Sequence, residues 1–146
     1  MTVTPAVMAL VKRYGAKSLI NAPSGPKAND DAEFRAAGFT EILHVDLQAG
    51  GDVVAGDLAV YQPPKPYDML YINCFFCLTS TTEEQDVIKA KAAVNMARWP
   101  VRVIIVYDTV YNDKFDWEQA FRSAGRKLIF RDSRLDSGYT RLEAWE

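Results

Sequence analysis

Short apolar runs typical of strands alternate with segments of helical periodicity along the chain. The predicted helices are Thr4–Tyr14, Asn29–Ala37, Thr81–Trp99 and Phe115–Ala124. The predicted strands are Ser18–Asn21, Glu41–Asp46, Asp52–Asp57, Tyr67–Asn73 and Val101–Asp108, followed by a hairpin of Lys127–Asp132 and Tyr139–Trp145. Such alternation is typical of α/β proteins, in which helices cover both faces of a parallel sheet. It predicts a doubly wound, mostly parallel sheet with a C-terminal antiparallel hairpin.

Two local patterns bear on how this sheet is connected and covered. The link between the second and third predicted strands is too short for a crossover helix. Either an extended crossover joins two parallel strands, or the third strand is irregular. The helix predicted at Thr81–Trp99 has Val87, Ile88 and Val94 on one side, together with the stem of Lys91.

Length and composition are those of one globular domain spanning residues 1–146. The sequence is 49% apolar and 25% charged, which is near the average for soluble proteins. It contains no apolar run long enough for a membrane span and no signal-peptide pattern at Met1–Pro5. We therefore expect a soluble, cytoplasmic protein without a membrane partner.

The charge pattern gives little indication of a nucleic-acid partner. The formal net charge is −2, so the chain as a whole does not attract nucleic acid. One basic cluster is formed by Arg122, Arg126, Lys127, Arg131 and Arg134. It is either a local nucleic-acid contact or ordinary solvated surface.

The first predicted strand ends in a loop rich in proline and small residues, Asn21–Lys27. A loop of small residues between a strand and a helix allows backbone N–H groups to approach a ligand closely. This loop has one glycine, Gly25, between Pro23 and Pro26, and a proline has no N–H to donate. The position is typical of a ligand-binding loop, but the composition is unusual for one.

Four segments, in order and spacing, resemble motifs of the class I S-adenosylmethionine-dependent methyltransferases. They are Leu19–Lys27, Ile42–Asp46, Asp52–Leu58 and Tyr67–Ile72. The family has a Rossmann-like, mostly parallel sheet that ends in an antiparallel hairpin. The resemblance covers nearly the whole chain and implies methyl transfer from S-adenosylmethionine to a small molecule or a nucleic acid.

The resemblance also implies a set of site residues. The cofactor-binding positions would be Asn21, Ala22, Ser24, Gly25, Asp46 and Asp57. The loop after the first strand would face the methionine part of the cofactor. Asp46 would accept hydrogen bonds from the ribose hydroxyls, and Asp57 would contact the adenine amino group.

Near the reacting methyl group the resemblance places Asn73 with Phe75 or Phe76. Amino-methylating nucleic-acid enzymes have an Asn/Asp-Pro-Pro-aromatic motif at this place. Here the segment Asn73–Phe76 lacks both prolines. A base methyltransferase and a strand that simply ends in apolar residues are both compatible with it.

The first loop also departs from the family pattern, and this supports a second hypothesis. Where the family usually has an acid and two or more glycines, the chain has Asn21, Ala22 and Pro23. Loss of the acid removes a partner for the cofactor's ammonium group. The alternative function is a non-catalytic binding or assembly module that has lost the cofactor. In either case the bare domain would need a homo-oligomer or a partner protein to complete a substrate pocket.

The remaining reactive side chains suggest no other catalytic centre. His44 is the only histidine and is expected to be a hydrogen-bonded residue within its strand, not a general base. The two cysteines form a Cys-x-x-Cys motif at Cys74 and Cys77, which permits a redox role, although two buried thiols are the preferred interpretation. Two cysteines cannot form a four-thiolate zinc site within one subunit, and no metal is expected.

Overall fold

The computed structural model describes residues 2–25, 27–76, 83–109, 117–135 and 140–146. Its helices are α1 (Pro5–Tyr14), α2 (Asp31–Ala36), α3 (Glu83–Ala97) and α4 (Trp117–Ser123). Its strands are β1 (Ser18–Asn21), β2 (Glu41–Asp46), β3 (Val53–Ala55), β4 (Tyr67–Asn73), β5 (Val101–Thr109), β6 (Leu128–Leu135) and β7 (Thr140–Trp145). Elements of the predicted type occur at each predicted place. The connection between the two strands of the predicted hairpin, residues 136–139, and the first two residues of the helices predicted from Thr81 and from Phe115 fall outside the described residues.

The strands form one seven-stranded sheet in the order β3-β2-β1-β4-β5-β7-β6. The pairs β1–β2, β1–β4, β2–β3 and β4–β5 are parallel, whereas β7 is antiparallel to both β5 and β6. This confirms the doubly wound sheet with a C-terminal antiparallel hairpin. The chain moves outward from β1 to β3 and then returns to β4. The β1–β4 boundary is therefore the switch point where open α/β sheets bind ligands.

The connection between β2 and β3 resolves the alternative that the sequence leaves open. The two strands are parallel and paired, with His44 opposite Val53. Residues 47–52 connect them without a helix, so the connection is an extended crossover. β3 is consequently a short strand at the sheet edge, paired with the carboxyl-terminal half of β2.

Both faces of the sheet are buried. In β4, Met69 and Tyr71 pack with the α1 and α2 side of the core, while Leu70 and Ile72 pack on the α3 and α4 side. This alternation explains why the β4 sequence is an almost unbroken apolar run. The sheet is covered on both faces, so its accessible surfaces are the edges and the carboxyl-end loops.

Helix α1 is bounded as its sequence predicts. The Thr4 hydroxyl accepts a hydrogen bond from the Val7 backbone N–H at 3.3 Å and caps the first turn. Gly15 adopts φ +58° at the other end, a left-handed conformation that favours glycine. Both ends of the helix are thus set by local sequence.

Helix α3 packs through a different side from the one that carries its largest apolar residues. Its buried residues are Lys89, Ala92, Ala93, Met96 and Ala97. Val87, Ile88 and Val94 are each 45–51% exposed. The small alanines allow the helix to lie close to the sheet, and the side that the sequence pattern singles out faces solvent.

The basic cluster is largely engaged in intramolecular contacts. Arg131 lies 3.0 Å from both Glu118 and the fully buried Glu143, and Arg122 pairs with Glu118 at 2.8 Å. Arg126 donates to backbone carbonyls at the end of α3 and the start of β5. These arginines fix α4 and the hairpin to the sheet, which does not support a free basic surface.

Among the described residues, no helix is long and apolar enough to cross a membrane.

Candidate functional site

A cavity of about 390 Å³ opens at the carboxyl ends of β1, β2 and β4. It is bounded by the loop after β1, the end of β2, the turn after β3, the end of β4 and the middle of α3. The described lining residues are Pro23, Gly25, Asn29, Asp46, Leu47, Asp57, Leu58, Asn73, Cys74, Phe75, Ile88 and Ala92. Its position at the switch point and its size are those of a small-molecule site.

The structure divides the predicted site residues into two groups. Gly25, Asp46, Asp57, Asn73 and Phe75 line the cavity. The other four are at most 3% exposed and do not contribute to its described lining; they are Asn21, Ala22, Ser24 and Phe76. Five of the predicted residues therefore surround one cavity, while the other four are buried in the protein behind the cavity wall.

The Asp46 carboxylate joins the first loop to the end of β2. Its Oδ2 accepts a hydrogen bond from the Gly25 N–H at 2.9 Å, and its Oδ1 accepts one from the Gln48 N–H at 3.3 Å. A carboxylate offers about four lone-pair sites, so each oxygen retains the capacity to accept another donor. Asp46 can therefore hold the loop and still bind a hydroxyl group in the cavity.

Gly25 is required where it stands. Its φ of +75° lies in the left-handed region that favours glycine. A Cβ at this position would also lie 2.9 Å from Cγ of Asn29. The single glycine of the loop thus permits both the turn and the close approach of its N–H to Asp46.

The Asp57 side chain begins a fixed turn after β3, the strand that pairs with β2. Its Oδ1 accepts from the Ala59 N–H at 3.0 Å. The Asn95 side-chain amide on α3 donates to the carbonyls of Leu58 and Tyr61, both at 2.8 Å. These bonds fix the turn against α3 and leave the exposed Asp57 carboxylate at the cavity wall.

The backbone N–H groups of Ala22, Ser24 and Gly25 in the first loop are already used inside the protein. The Ala22 N–H donates to the Tyr71 carbonyl at 3.2 Å, and the Ser24 N–H donates to the Val45 carbonyl at 2.9 Å. The Gly25 N–H is bound by Asp46, as described above, and the prolines at 23 and 26 have no N–H. From residue 22 to residue 26, no backbone N–H remains available to a ligand.

Asn21 is held away from the cavity by a buried polar network. Its Nδ2 donates to the Asn29 carbonyl at 2.9 Å and to Nδ1 of His44 at 3.2 Å. His44 Nε2 donates to Asp31 Oδ1 at 2.8 Å, which places the imidazole hydrogen on Nε2. His44 is only 2% exposed, so it is the hydrogen-bonded strand residue that the sequence predicts.

This network changes the acidity of Asp31. The hydrogen bond from His44, together with Arg35 at 2.9 Å, holds the pKa of the Asp31 carboxyl below its ordinary value of 3.8 despite the opposing effect of burial. The ionised carboxylate therefore stabilises the packing of α2 on β2. The sequence analysis does not identify Asp31, because its partner His44 lies on another element.

Asp31→Asn is expected to lower stability near neutral pH and to have little effect in strong acid. The folded-state pKa of Asp31 is depressed, so its contribution is present above 3.8 and is lost as the pH falls through the folded-state value. The difference in Tm between wild type and variant should be constant from about pH 7 to about pH 5 and should shrink in stronger acid. Thermal melts followed by circular dichroism measure it, with the exposed Asp52→Asn as a control. A difference that does not change with pH would contradict this assignment.

The segment after β4 brings Asn73, Cys74 and Phe75 to the cavity. The Cys74 N–H donates to the Tyr107 carbonyl at 2.8 Å, and Cys74 adopts φ +50°, which turns the chain. The Phe76 N–H then donates to the buried Asp108 carboxylate at 2.7 Å. Asp108 was missed by the sequence analysis, although an acid at the end of a central strand is a usable signal.

The two aromatic residues of this segment have different environments. Phe75 lines the cavity, whereas the Phe76 ring stacks on Trp117 with centroids 5.2 Å apart and an interplanar angle of 13°. The prediction of two buried thiols is wrong for Cys74, which is exposed because the left-handed turn directs it outward. Cys77 lies outside the described residues. Within the described part of the chain, no group of three potential ligands could hold a metal ion.

S-adenosylmethionine fits one half of this site and not the other. Asp46 and Asp57 are hydrogen-bond acceptors on one side of the cavity, and Leu47 and Leu58 provide apolar surface beside them, which suits a nucleoside. Between residues 22 and 26, the first loop provides neither a free N–H for the methionine carboxylate nor an acid for the ammonium group. The adenosine half therefore has carboxylate partners among the described lining residues, whereas the two charged groups of the amino-acid half have no oppositely charged partner there apart from those same carboxylates.

Comparison with solved structures defines the class of fold. A TehB-like S-adenosylmethionine-dependent methyltransferase from Corynebacterium glutamicum matches with a TM-score of 0.65 at 15% identity, over 94% of this chain and 85% of the other. A methyltransferase of the same cofactor dependence from Clostridium acetobutylicum gives 0.67 at 8% identity, over 96% and 88%. The S-adenosylmethionine-bound amino pentose methyltransferase from Micromonospora echinaspora gives 0.65 at 12% identity, over 96% and 88%.

The chain therefore has the fold of the class I S-adenosylmethionine-dependent methyltransferases, as the sequence motifs predict. No protein-family model matches its sequence, and no curated protein matches it. Identities of 8% to 15% establish the fold alone. Activity has to be argued from the cavity.

Proposed function

We propose that the cavity binds S-adenosylmethionine and that the protein is a methyltransferase acting on a small molecule or a nucleic acid. The observation that supports this most directly is the position of two carboxylates at one cavity. Asp46 ends β2, and Asp57 follows β3, the next strand of the sheet. A ribose diol and an adenine amino group are hydrogen-bond donors, and carboxylates in these positions can accept their hydrogen bonds.

Each remaining role follows from the chemistry of a lining residue. S-adenosylmethionine, when bound, supplies a methyl group activated by a sulfonium sulfur. The Asn73 side-chain amide, at the end of β4, can both donate a hydrogen bond to and accept one from the amine or hydroxyl group of the methyl-accepting substrate. The Phe75 ring offers an aromatic face for a planar or cationic group. Positioning two reactants in line is most of what methyl transfer requires.

A second candidate function is favoured by the first loop. The N–H groups of Ala22, Ser24 and Gly25 are used internally, and the Asn21 side chain is bound to His44 and Asn29. A protein with this loop could retain the fold and use its surface for binding or assembly without methyl transfer. Leu47 is 73% exposed and Ile88 is 51% exposed, and both lie at the cavity, where a second subunit or a partner protein could complete a pocket. That partner remains a prediction.

Ligand binding separates the two functions. S-adenosylmethionine and its demethylated product should each raise the Tm, and saturation at about a hundredfold above Kd should add about 2.7 kcal/mol of stability. Transfer of a labelled methyl group to small-molecule and nucleic-acid pools then tests catalysis. No shift at millimolar ligand would contradict the methyltransferase and favour the module, whereas binding without any transfer would favour a module that keeps the cofactor.

A further inference from the structure

We propose that the cavity recognises its ligand through the adenosine half alone. The inference rests on the proposed function and concerns the specificity of the same site. Removing the amino-acid group from the ligand should leave its affinity for the cavity almost unchanged. The ligand class is accordingly any 5′-thioadenosine nucleoside, with or without a charged chain on sulfur.

Backbone N–H groups in the loop after β1 are already hydrogen-bonded within the protein. A ligand carboxylate is normally bound by free backbone N–H groups or by a cation. The N–H groups of Ala22, Ser24 and Gly25 donate at 2.9–3.2 Å to Tyr71, Val45 and Asp46, respectively. Using any of them for a ligand would break an existing bond, so the net gain in affinity is small.

The second argument is the distribution of charge. The described lining residues include two carboxylates, Asp46 and Asp57, and no lysine or arginine. Both carboxylates lie on the side assigned to ribose and adenine. Among these lining residues, the amino-acid carboxylate would find no cation.

The third argument is the anchoring of Asn21, which occupies the place of an ammonium-binding acid. The residue is 3% exposed, and both hydrogens of its amide nitrogen are used, by Asn29 and His44. His44 is in turn held by Asp31 at 2.8 Å. Turning Asn21 toward the cavity would leave buried groups without partners, so the side chain stays with the network.

Two probes test the inference because they differ only in the amino-acid chain. S-adenosylhomocysteine and 5′-methylthioadenosine share the nucleoside and the thioether sulfur. Isothermal titration calorimetry on the wild-type protein should give Kd values within about fivefold, since roughly tenfold would already report one charge-assisted hydrogen bond. Adenosine should bind somewhat more weakly because it lacks the thioether.

Asp46→Asn provides the matched variant, because an asparagine can still accept from the Gly25 N–H. It should weaken the binding of both thioether ligands by the same factor, since both contain the ribose. S-adenosylhomocysteine binding more than about fivefold more tightly than 5′-methylthioadenosine would overturn this inference and leave the proposed function standing. Failure of S-adenosylmethionine and both probes to bind would overturn the two together.

Discussion

Replacing Arg126 with alanine is expected to lower the free energy of unfolding by about 3–5 kcal/mol. The guanidinium donates to the carbonyls of Ala97 at 3.0 Å, Trp99 at 2.8 Å and Val101 at 2.8 Å. These three residues are at most 7% exposed and connect the end of α3 to the start of β5. Burial lowers the pKa of the Arg126 guanidinium from its ordinary value, because the charged group has lost part of its hydration. The hydrogen bonds to the three carbonyls replace part of that hydration. Alanine would remove the guanidinium donors from three carbonyls at the α3–β5 junction, of which that of Trp99 would still accept from the Val101 N–H at 2.8 Å.

Urea denaturation followed by tryptophan fluorescence measures the change in unfolding free energy. The exposed neighbour Lys127→Ala is the control and should change it by less than about 0.5 kcal/mol. Arg126→Lys should recover only part of the loss, because an ammonium cannot reproduce the planar fork of donors. An alanine variant within about 1 kcal/mol of wild type would mean that water replaces the guanidinium at these carbonyls.

The positions of the strands along the chain and the doubly wound class follow from the sequence because the central strands are buried on both faces. Tyr67–Asn73 and Val101–Thr109 are long apolar runs that only a covered parallel sheet can accommodate. The glycine at 15 and the threonine at 4 then determine where α1 begins and ends. Local chemistry is therefore sufficient for the elements and for their arrangement in layers.

The packing side of α3 could not be predicted in the same way. Both sides of the helix are apolar, since Ala92 and Met96 lie on one and Val87 and Val94 on the other. Hydrophobic periodicity does not choose between two such sides. The sheet surface makes the choice, because alanines allow a closer approach than β-branched residues do.

In the candidate site, too, some residues can be located from the sequence, whereas their long-range contacts cannot. Asp46 and Asp57 can be located from sequence because each follows a predicted strand at the carboxyl edge. The contacts of Asn21 with His44, and of Phe76 with Asp108, join residues that are 23 and 32 positions apart. Such pairs become visible only when the strand order and register are known. The loop motif was therefore identified, while the internal use of its donors was not.

Asp46→Ala is expected to weaken adenosine-ligand binding by roughly a hundredfold or more. The substitution removes the carboxylate assigned to the ribose and also the acceptor that holds the Gly25 N–H at 2.9 Å. Calorimetric titration measures the loss, and a Tm close to that of wild type shows that the fold is intact. The exposed acid Asp52, substituted in the same way, should leave affinity unchanged. An Asp46→Ala protein that binds within threefold of wild type would remove Asp46 from the site, and the carboxylate would then act only as the acceptor that closes the first loop.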